Sequence, residues 1–315
     1  MSSASLRHAV SALVGGASPA TVAGAAAMID LFEPELDEYA ELVAGSSQPG
    51  AAATWPDVVG MMTRGEGAGF TERVASALRS LDMPPASREH HRFLAGMFGD
   101  RRGFFKVEWH RRAGGVVPAA SCYFRRRPPL DDVLDALGRR GLDRAIQDQL
   151  RVLAFTLEKR TVHFVAAGFL PGAPVYHKLY FSQHVTAGTR ADVIARVDRL
   201  LGGTGESAEV RARRLRAHEH MLPEGAAAES AIFVSACFTD RERLPWLKID
   251  YPELTPTQAA AWASDEERPR VEREARVACA SFGADRLSYL GVRLEGDAAP
   301  VLKYYVDRPG AREQT

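Results

Sequence analysis

The sequence predicts an α+β chain in which antiparallel hairpins alternate with pairs of helices, and three observations predict it. Beyond Gly103, short runs of aromatic and β-branched residues come in pairs, as antiparallel hairpins do. Between the pairs lie longer segments with Leu, Val and Ile at helical spacing among Arg, Asp and Glu. The second runs of the pairs also resemble one another, which points to one supersecondary unit used repeatedly.

Taken in chain order, Ser18 to about Leu81 is rich in Ala, Leu, Val, Glu and Met, with helix-period stretches at Val22–Val43 and Phe70–Leu81 and a Ser/Gly/Pro loop at Gly45–Gly50. Residues 1–102 therefore read as a helical region packed on the remainder of the chain, residues 103–308 as the repeated unit and 309–315 as a tail, in one structural domain overall. The hairpins are Phe104–His110 with Val117–Phe124, Val162–Phe169 with Val175–Phe181, Ala231–Phe238 with Trp246–Tyr251, and Leu287–Leu294 with Val301–Val306. Leu130–Leu157, Thr189–His220 and Pro256–Ala280 are the intervening helix pairs. Tyr123, Tyr180, Asp250 and Tyr305 occupy equivalent places on the second strands and recur 57, 70 and 55 residues apart, a loose repeat.

Side chains two apart on a strand share a face. Tyr176, Lys178 and Tyr180 thus point together, as do Trp246, Lys248 and Asp250, and Lys303 with Tyr305. Lys106, Glu108 and His110 share a face of the first hairpin, and Tyr289, Gly291 and Arg293 a face of the last. The opposite faces are apolar and suit the helices. Two arrangements accommodate the polar faces: an open antiparallel sheet with Lys and Tyr in solvent, or a barrel whose lumen gathers Lys106, Lys178, Lys248, Lys303 and Arg293 around an anionic group. Repetition of Lys at corresponding positions favours the lumen, where the cations need an anion to offset their repulsion.

Composition excludes several classes. Forty basic and forty acidic residues leave no net charge, so no global attraction for nucleic acid or anionic membrane is expected, and an anionic ligand must be met by a local cluster. Cys122, Cys237 and Cys279 are far apart and match neither a disulfide framework nor a zinc spacing, which fits a reducing cytoplasm. The apolar patch Ala9–Val14 is broken by serine and glycine and does not read as a signal peptide. No run approaches the ~18 apolar residues of a membrane span.

The stretch Tyr176-His-Lys-Leu-Tyr-Phe-Ser182, the helix Ala191–Leu201 after it and the closing Tyr289…Lys303-Tyr-Tyr305 resemble the soluble aromatic prenyltransferases of the ABBA fold, the indole dimethylallyltransferases and bacterial phenol prenyltransferases. The resemblance covers roughly Gly103 to Asp307. It implies a ten-stranded antiparallel barrel of α-β-β-α units with helices outside and chemistry in the lumen; eight strands are legible. It also implies that Lys106, Lys178, Lys248, Lys303 and Arg293 bind the diphosphate of an allylic donor, and that Tyr123, Tyr176, Tyr180, Trp246, Tyr289 and Tyr305 shield the allyl cation and line the substrate space. Glu108, the carboxylate of the first strand, would accept a hydrogen bond from the aromatic nucleophile and assist its deprotonation; as a residue in its own right it reads equally as a lumen ion pair with Lys106. Indole-type members commonly carry an Arg on the second strand of the first hairpin; here that place is Ser121, with Lys106 or Arg125 as its substitute. Asp250 stands where a tyrosine is expected.

The function so implied is transfer of an allylic prenyl group, dimethylallyl foremost, to an indole, phenol or aromatic residue, with no required cofactor, Mg²⁺ optional, and a monomer or weak dimer as the assembly. The rival is a non-catalytic barrel binding an anionic or aromatic small molecule or peptide. Asp131-Asp132-Val-Leu-Asp135 spells the aspartate-rich motif of metal-dependent prenyl synthases, but it comes directly after Pro128-Pro129, where acidic residues suit a helix's first turn. Gly65-Glu-Gly-Ala-Gly69 reads as a loop without the preceding strand of a dinucleotide site. His218 and His220 read as solvated.

Overall fold

The structure is a computed structural model that describes residues 19–45, 56–98, 103–112, 115–203, 205–223, 229–281 and 283–307. The Ala9–Val14 patch, most of the Gly45–Gly50 loop and the 309–315 tail lie outside the described residues. Ten strands form a closed antiparallel barrel in which every strand pairs with its neighbours in sequence and β1 (Ala40–Gly45) closes on β10 (Val301–Asp307). The others are β2 (Val58–Gly65), β3 (Gly103–Arg112), β4 (Gly115–Phe124), β5 (Phe164–Phe169), β6 (Tyr176–Val185), β7 (Ser230–Phe238), β8 (Arg243–Leu254) and β9 (Leu287–Leu294). Closure removes the open-sheet arrangement, and with it the edge strands such a sheet would expose.

Helices connect the hairpins: α1 (Pro19–Leu31) and α2 (Glu33–Glu38) precede β1; α3 (Gly67–Ser80) and α4 (Pro85–Phe98) come after β2; α5 (Leu130–Gly138) and α6 (Arg144–Thr156) after β4; α7 (Arg190–Gly202) and α8 (Ala208–Met221) after β6. Beyond β8 the pair is shortened to a single turn, α9 (Pro256–Ala259), a 3₁₀ turn and α10 (Arg268–Ser281). Local chemistry fixes their starts. Asp143 caps α6 by accepting from Ala145 N at 2.7 Å, and Thr255 with Gln258 forms a capping box at α9.

Alternation then decides the layers. Leu179, Phe181, Ile249, Tyr251, Tyr304 and Val306 are all buried on the outer strand faces beneath the helices. At about 1.5–3 kcal/mol for each large apolar side chain removed from water, this shell between sheet and helices is the main stabilising layer. The alternate residues of each strand line the lumen.

Four expectations need correction. The segment 1–102 is not wholly helical: β1 and β2 within it form the fifth hairpin and belong to the barrel. All six residues of β1 are buried, so it lacks the polar–apolar alternation that marks a strand, and Ala, Leu and Glu bias its local propensity toward helix. Gly65 ends β2 and Gly67 begins α3, so the Gly65–Gly69 segment is a strand-to-helix junction and not a free loop. His218 is fully buried, its Nδ1 2.7 Å from the Tyr251 hydroxyl, while His220 is exposed as expected. Burial, reinforced by nearby Arg190, depresses the His218 pKa to about 3 and leaves the ring neutral. Arg125 is exposed beyond the end of β4, so only Lys106 stands opposite Ser121.

Candidate active site

Because opposed residues of antiparallel strands share a face, the register maps the lumen directly. Lys106 lies opposite Ser121, Tyr123 opposite Ala166 and so beside Lys178, Tyr180 opposite Ser235 and so beside Lys248, and Lys303 opposite Gly291 and so beside Asp250. The four lysines from β3, β6, β8 and β10 thereby converge on one enclosed space.

Their contacts differ. Lys106 Nζ and Lys303 Nζ donate to the same Glu108 oxygen, at 2.9 and 2.8 Å. His110 Nε2 stands 3.5 Å from the other oxygen. Lys248 is paired with Asp250 and donates to the Tyr305 hydroxyl at 3.3 Å. Among the described residues, Lys178 has no carboxylate partner; its ammonium lies over the rings of Tyr176 at 5.1 Å and Tyr123 at 6.0 Å. Lys106 faces the rings of Tyr305 and Tyr123 at 5.7 and 5.9 Å. Arg293 stacks over Trp246 at 5.8 Å, toward the hairpin end of the barrel.

This arrangement sets the electrostatics. Burial opposes ionisation of Glu108, but Lys106 and Lys303 outweigh it and hold the carboxyl well below its usual pKa. Burial likewise opposes the charge on Lys106, and Glu108 overrides it, raising that pKa well above normal. For Lys303 the balance is reversed: burial, with Lys106 and Lys178 nearby, overcomes Glu108 and lowers its pKa to about 7. Burial keeps Tyr180 and Tyr305 protonated, with pKa values well above normal. Burial opposes ionisation of Tyr123 too, but Lys106, Lys178 and Lys248 outweigh it and lower its pKa. The lumen therefore presents cations, the protonated phenols of Tyr180 and Tyr305, and two carboxylates, Glu108 held by two lysines and Asp250 by Lys248.

Several lumen residues escape a reading built on Lys and Tyr. Ser235 Oγ is buried, lies in register between Tyr180 and Lys248, and has no hydrogen-bond partner. Gly168 and Gly291 make room for the site: a β-carbon at 168 would fall inside the Tyr176 ring, and one at 291 would lie 2.7 Å from Lys248 Cε and 2.9 Å from Asp250 Oδ1. Glycines inside otherwise regular strands were the available signal for such close approach. Phe104, Phe164 and Phe233 continue the lumen beyond the tyrosines, with Phe164 packed edge-on against Tyr180 at 6.0 Å. Asp131, Asp132 and Asp135 are exposed on α5 outside the barrel, Asp131 accepting from Arg151 at 3.0 Å. A metal-dependent synthase site built on them is thereby removed.

In its overall fold the chain matches the solved structure of the prenyltransferase PriB in a ternary complex with L-tryptophan and dimethylallyl thiolodiphosphate: TM-score 0.59, 14% identity, 96% of this chain and 95% of that one. The chain has the ABBA fold. It is similar also to 5-dimethylallyl tryptophan synthase from Streptomyces coelicolor in complex with DMASPP and Trp, with TM-score 0.60, 17% identity and coverage of 98% and 94%. NotF in complex with brevianamide F and DMSPP matches at TM-score 0.57 and 12% identity, over 85% and 79% of the two chains. No family model and no curated protein matches the sequence. No helix among the described residues is long and apolar enough to cross a membrane.

Proposed function

We propose that the protein transfers an allylic prenyl group from its diphosphate to an aromatic acceptor within the lumen. The observation that carries this reading is the convergence of Lys106, Lys178, Lys248 and Lys303 with Tyr123, Tyr176, Tyr180 and Tyr305 in one enclosed space. Lys178, without an acid beside it, and Lys248 and Ser235 beside Tyr180 would hold the diphosphate, each contact strengthening as the C–O bond ionises and charge moves onto the leaving group. The tyrosine rings would face the allyl cation, stabilising it through their π systems and keeping water away.

Glu108 has two roles that the geometry allows together. As an anion it keeps Lys106 and Lys303 from repelling one another in the ligand-free lumen. With donor phosphates drawing those lysines, its carboxylate is released to accept a hydrogen bond from an acceptor N–H or O–H. The related folds were solved with a dimethylallyl donor analogue and either tryptophan or brevianamide F, which supports dimethylallyl and an indole as the first donor and acceptor to try. Incubation with dimethylallyl diphosphate and a panel of indoles, phenols and aromatic peptides, read by mass, tests the proposal. Donor binding without any prenylated product would favour a binding barrel instead.

A further inference from the structure

The lumen holds a nucleophile that the proposed mechanism does not use. Cys122 and Cys279 pack in the apolar core, but Cys237 shares the lumen face of β7 with Ser235, opposite to the core-facing Ala236 and Phe238. It lies directly across from Lys178 in the β6–β7 register, as Ser235 lies across from Tyr180. Side chains so opposed have their β-carbons about 4.5–5.5 Å apart. On its other side the β7–β8 register shifts between Ala236 and Phe238, so the thiol sits at a bulge, the kind of irregularity that re-aims a side chain beside a site. Cys237 is fully buried, and burial pushes its thiol up to about 12 against the pull of Lys178 and Arg293, which keeps it protonated.

Two neighbours point to a ligand beside this thiol. Ser235 Oγ, wholly buried, has no hydrogen-bond partner, and Lys178, only 9% exposed, has no carboxylate partner among the described residues. A donor diphosphate would satisfy both. Its dimethylallyl group, bonded to a phosphate at the Lys178 ammonium, can lie back along the lysine stem toward Cys237. A buried neutral thiol is inert toward ordinary electrophiles, but an ionising allyl group requires only a lone pair. The lumen's oxygens are engaged: Glu108 by Lys106 and Lys303, Asp250 and Tyr305 by Lys248, and Tyr123 by a hydrogen bond with Tyr180. Sulfur is polarizable and only a weak hydrogen-bond acceptor, so its lone pairs stay available. We infer that Cys237 is a self-prenylation site, its sulfur capturing the allyl group of a bound donor when no acceptor fills the lumen. The donor's C1–O bond breaks, a C1–S bond forms from the sulfur lone pair, and the thiol proton passes to the departing diphosphate. The resulting thioether fills space beside Lys178 and closes the chain to further diphosphate. The inference rests on the proposed prenyl transfer, yet its test needs no knowledge of the acceptor.

The full chain is incubated with dimethylallyl diphosphate and no acceptor, then read by intact mass, peptide mapping and calorimetric titration with inorganic pyrophosphate. Wild type is expected to gain one dimethylallyl group per chain, at Cys237 and at neither Cys122 nor Cys279, and the modified protein to lose pyrophosphate binding. Cys237→Ser, its folding checked by thermal unfolding, should gain none and still bind pyrophosphate after the same incubation. Wild type unfolded in guanidinium, with all its thiols accessible but no lumen, should also gain none. An adduct at a lysine, a tyrosine or another cysteine would overturn the role of Cys237, as would an unmodified Cys237 in protein that makes prenylated product with the acceptor panel; either result leaves prenyl transfer standing. Neither adduct nor product with any acceptor would overturn both readings, whereas an adduct at Cys237 without product from the panel would uphold this one.

Discussion

Replacing Glu108 by Gln is the sharpest perturbation the site offers, because one oxygen of this buried carboxylate receives both Lys106 and Lys303. Removing one partner of a buried ion pair costs about 3–5 kcal/mol. Lys303, whose pKa already lies at about 7, can shed its proton near neutrality and relieve part of that cost, while Lys106 cannot. The ligand-free variant should therefore be destabilised by about 3 kcal/mol at pH 7, on the order of 5–10 °C in Tm for a chain of this size. Pyrophosphate should bind it about tenfold more tightly, since one nearby negative charge is gone, and should restore most of the lost Tm. Prenyl transfer to an N–H or O–H acceptor should nonetheless fall at least ~100-fold, the usual contribution of a positioned base. Differential scanning calorimetry with and without pyrophosphate, titration calorimetry and a product assay read the three quantities. An unchanged Tm together with unchanged pyrophosphate affinity would refute the argument that Glu108 neutralises the lysines; wild-type transfer by the folded variant would remove it as the base.

Lys178→Met should weaken pyrophosphate binding more than Lys248→Met, by at least ~10-fold over wild type in calorimetry, because Lys178 has no carboxylate partner whose release would compensate. For Lys303 the folded pKa of about 7 lies below the ordinary lysine value of 10.5, so between these values the unfolded chain binds more protons and stability of the ligand-free protein should rise with pH. Pyrophosphate binding at pH 8 should accordingly take up a proton at Lys303, seen as a buffer-dependent enthalpy that Lys303→Met reduces; identical enthalpies for the two proteins across buffers would contradict it. Asp131→Ala and chelation by EDTA should each leave donor binding at its wild-type value, since Asp131 sits outside the barrel and its partner is Arg151.

The repeat was legible because hairpin strands that face both a lumen and a helical shell alternate, and β6 sets Tyr176, Lys178 and Tyr180 on one face against Leu179 and Phe181 on the other, with the buried His177 as the exception. The same alternation suffices to place Lys106, Lys178, Lys248 and Lys303 on inward faces. It fails at Ala40–Gly45, whose neighbours bury both faces, and at Val58–Gly65, where Gly60, Met62 and Arg64 stand inward in place of a Lys-x-Tyr pattern. His218 escapes it for a related reason: an Arg-rich helix looks solvated, yet one of its faces packs on Tyr251.

What the sequence determines by itself is local and periodic: where alternation is kept, which residues are strand, which helix, and which side chains share a face. Closure is not of that kind. That β1 meets β10, at the far end of the chain, depends on twist and register summed over ten strands, and it turns separate polar faces into one lumen. Pairing inside the lumen is equally non-local. The lone carboxylate of β3 could have held Lys106 only; the barrel brings Lys303 to the same oxygen from β10, leaves Lys178 without an acid, and seats Arg64 on Tyr39. These charges are set by distances across the barrel and by burial, neither of which is written in the spacing along any one strand.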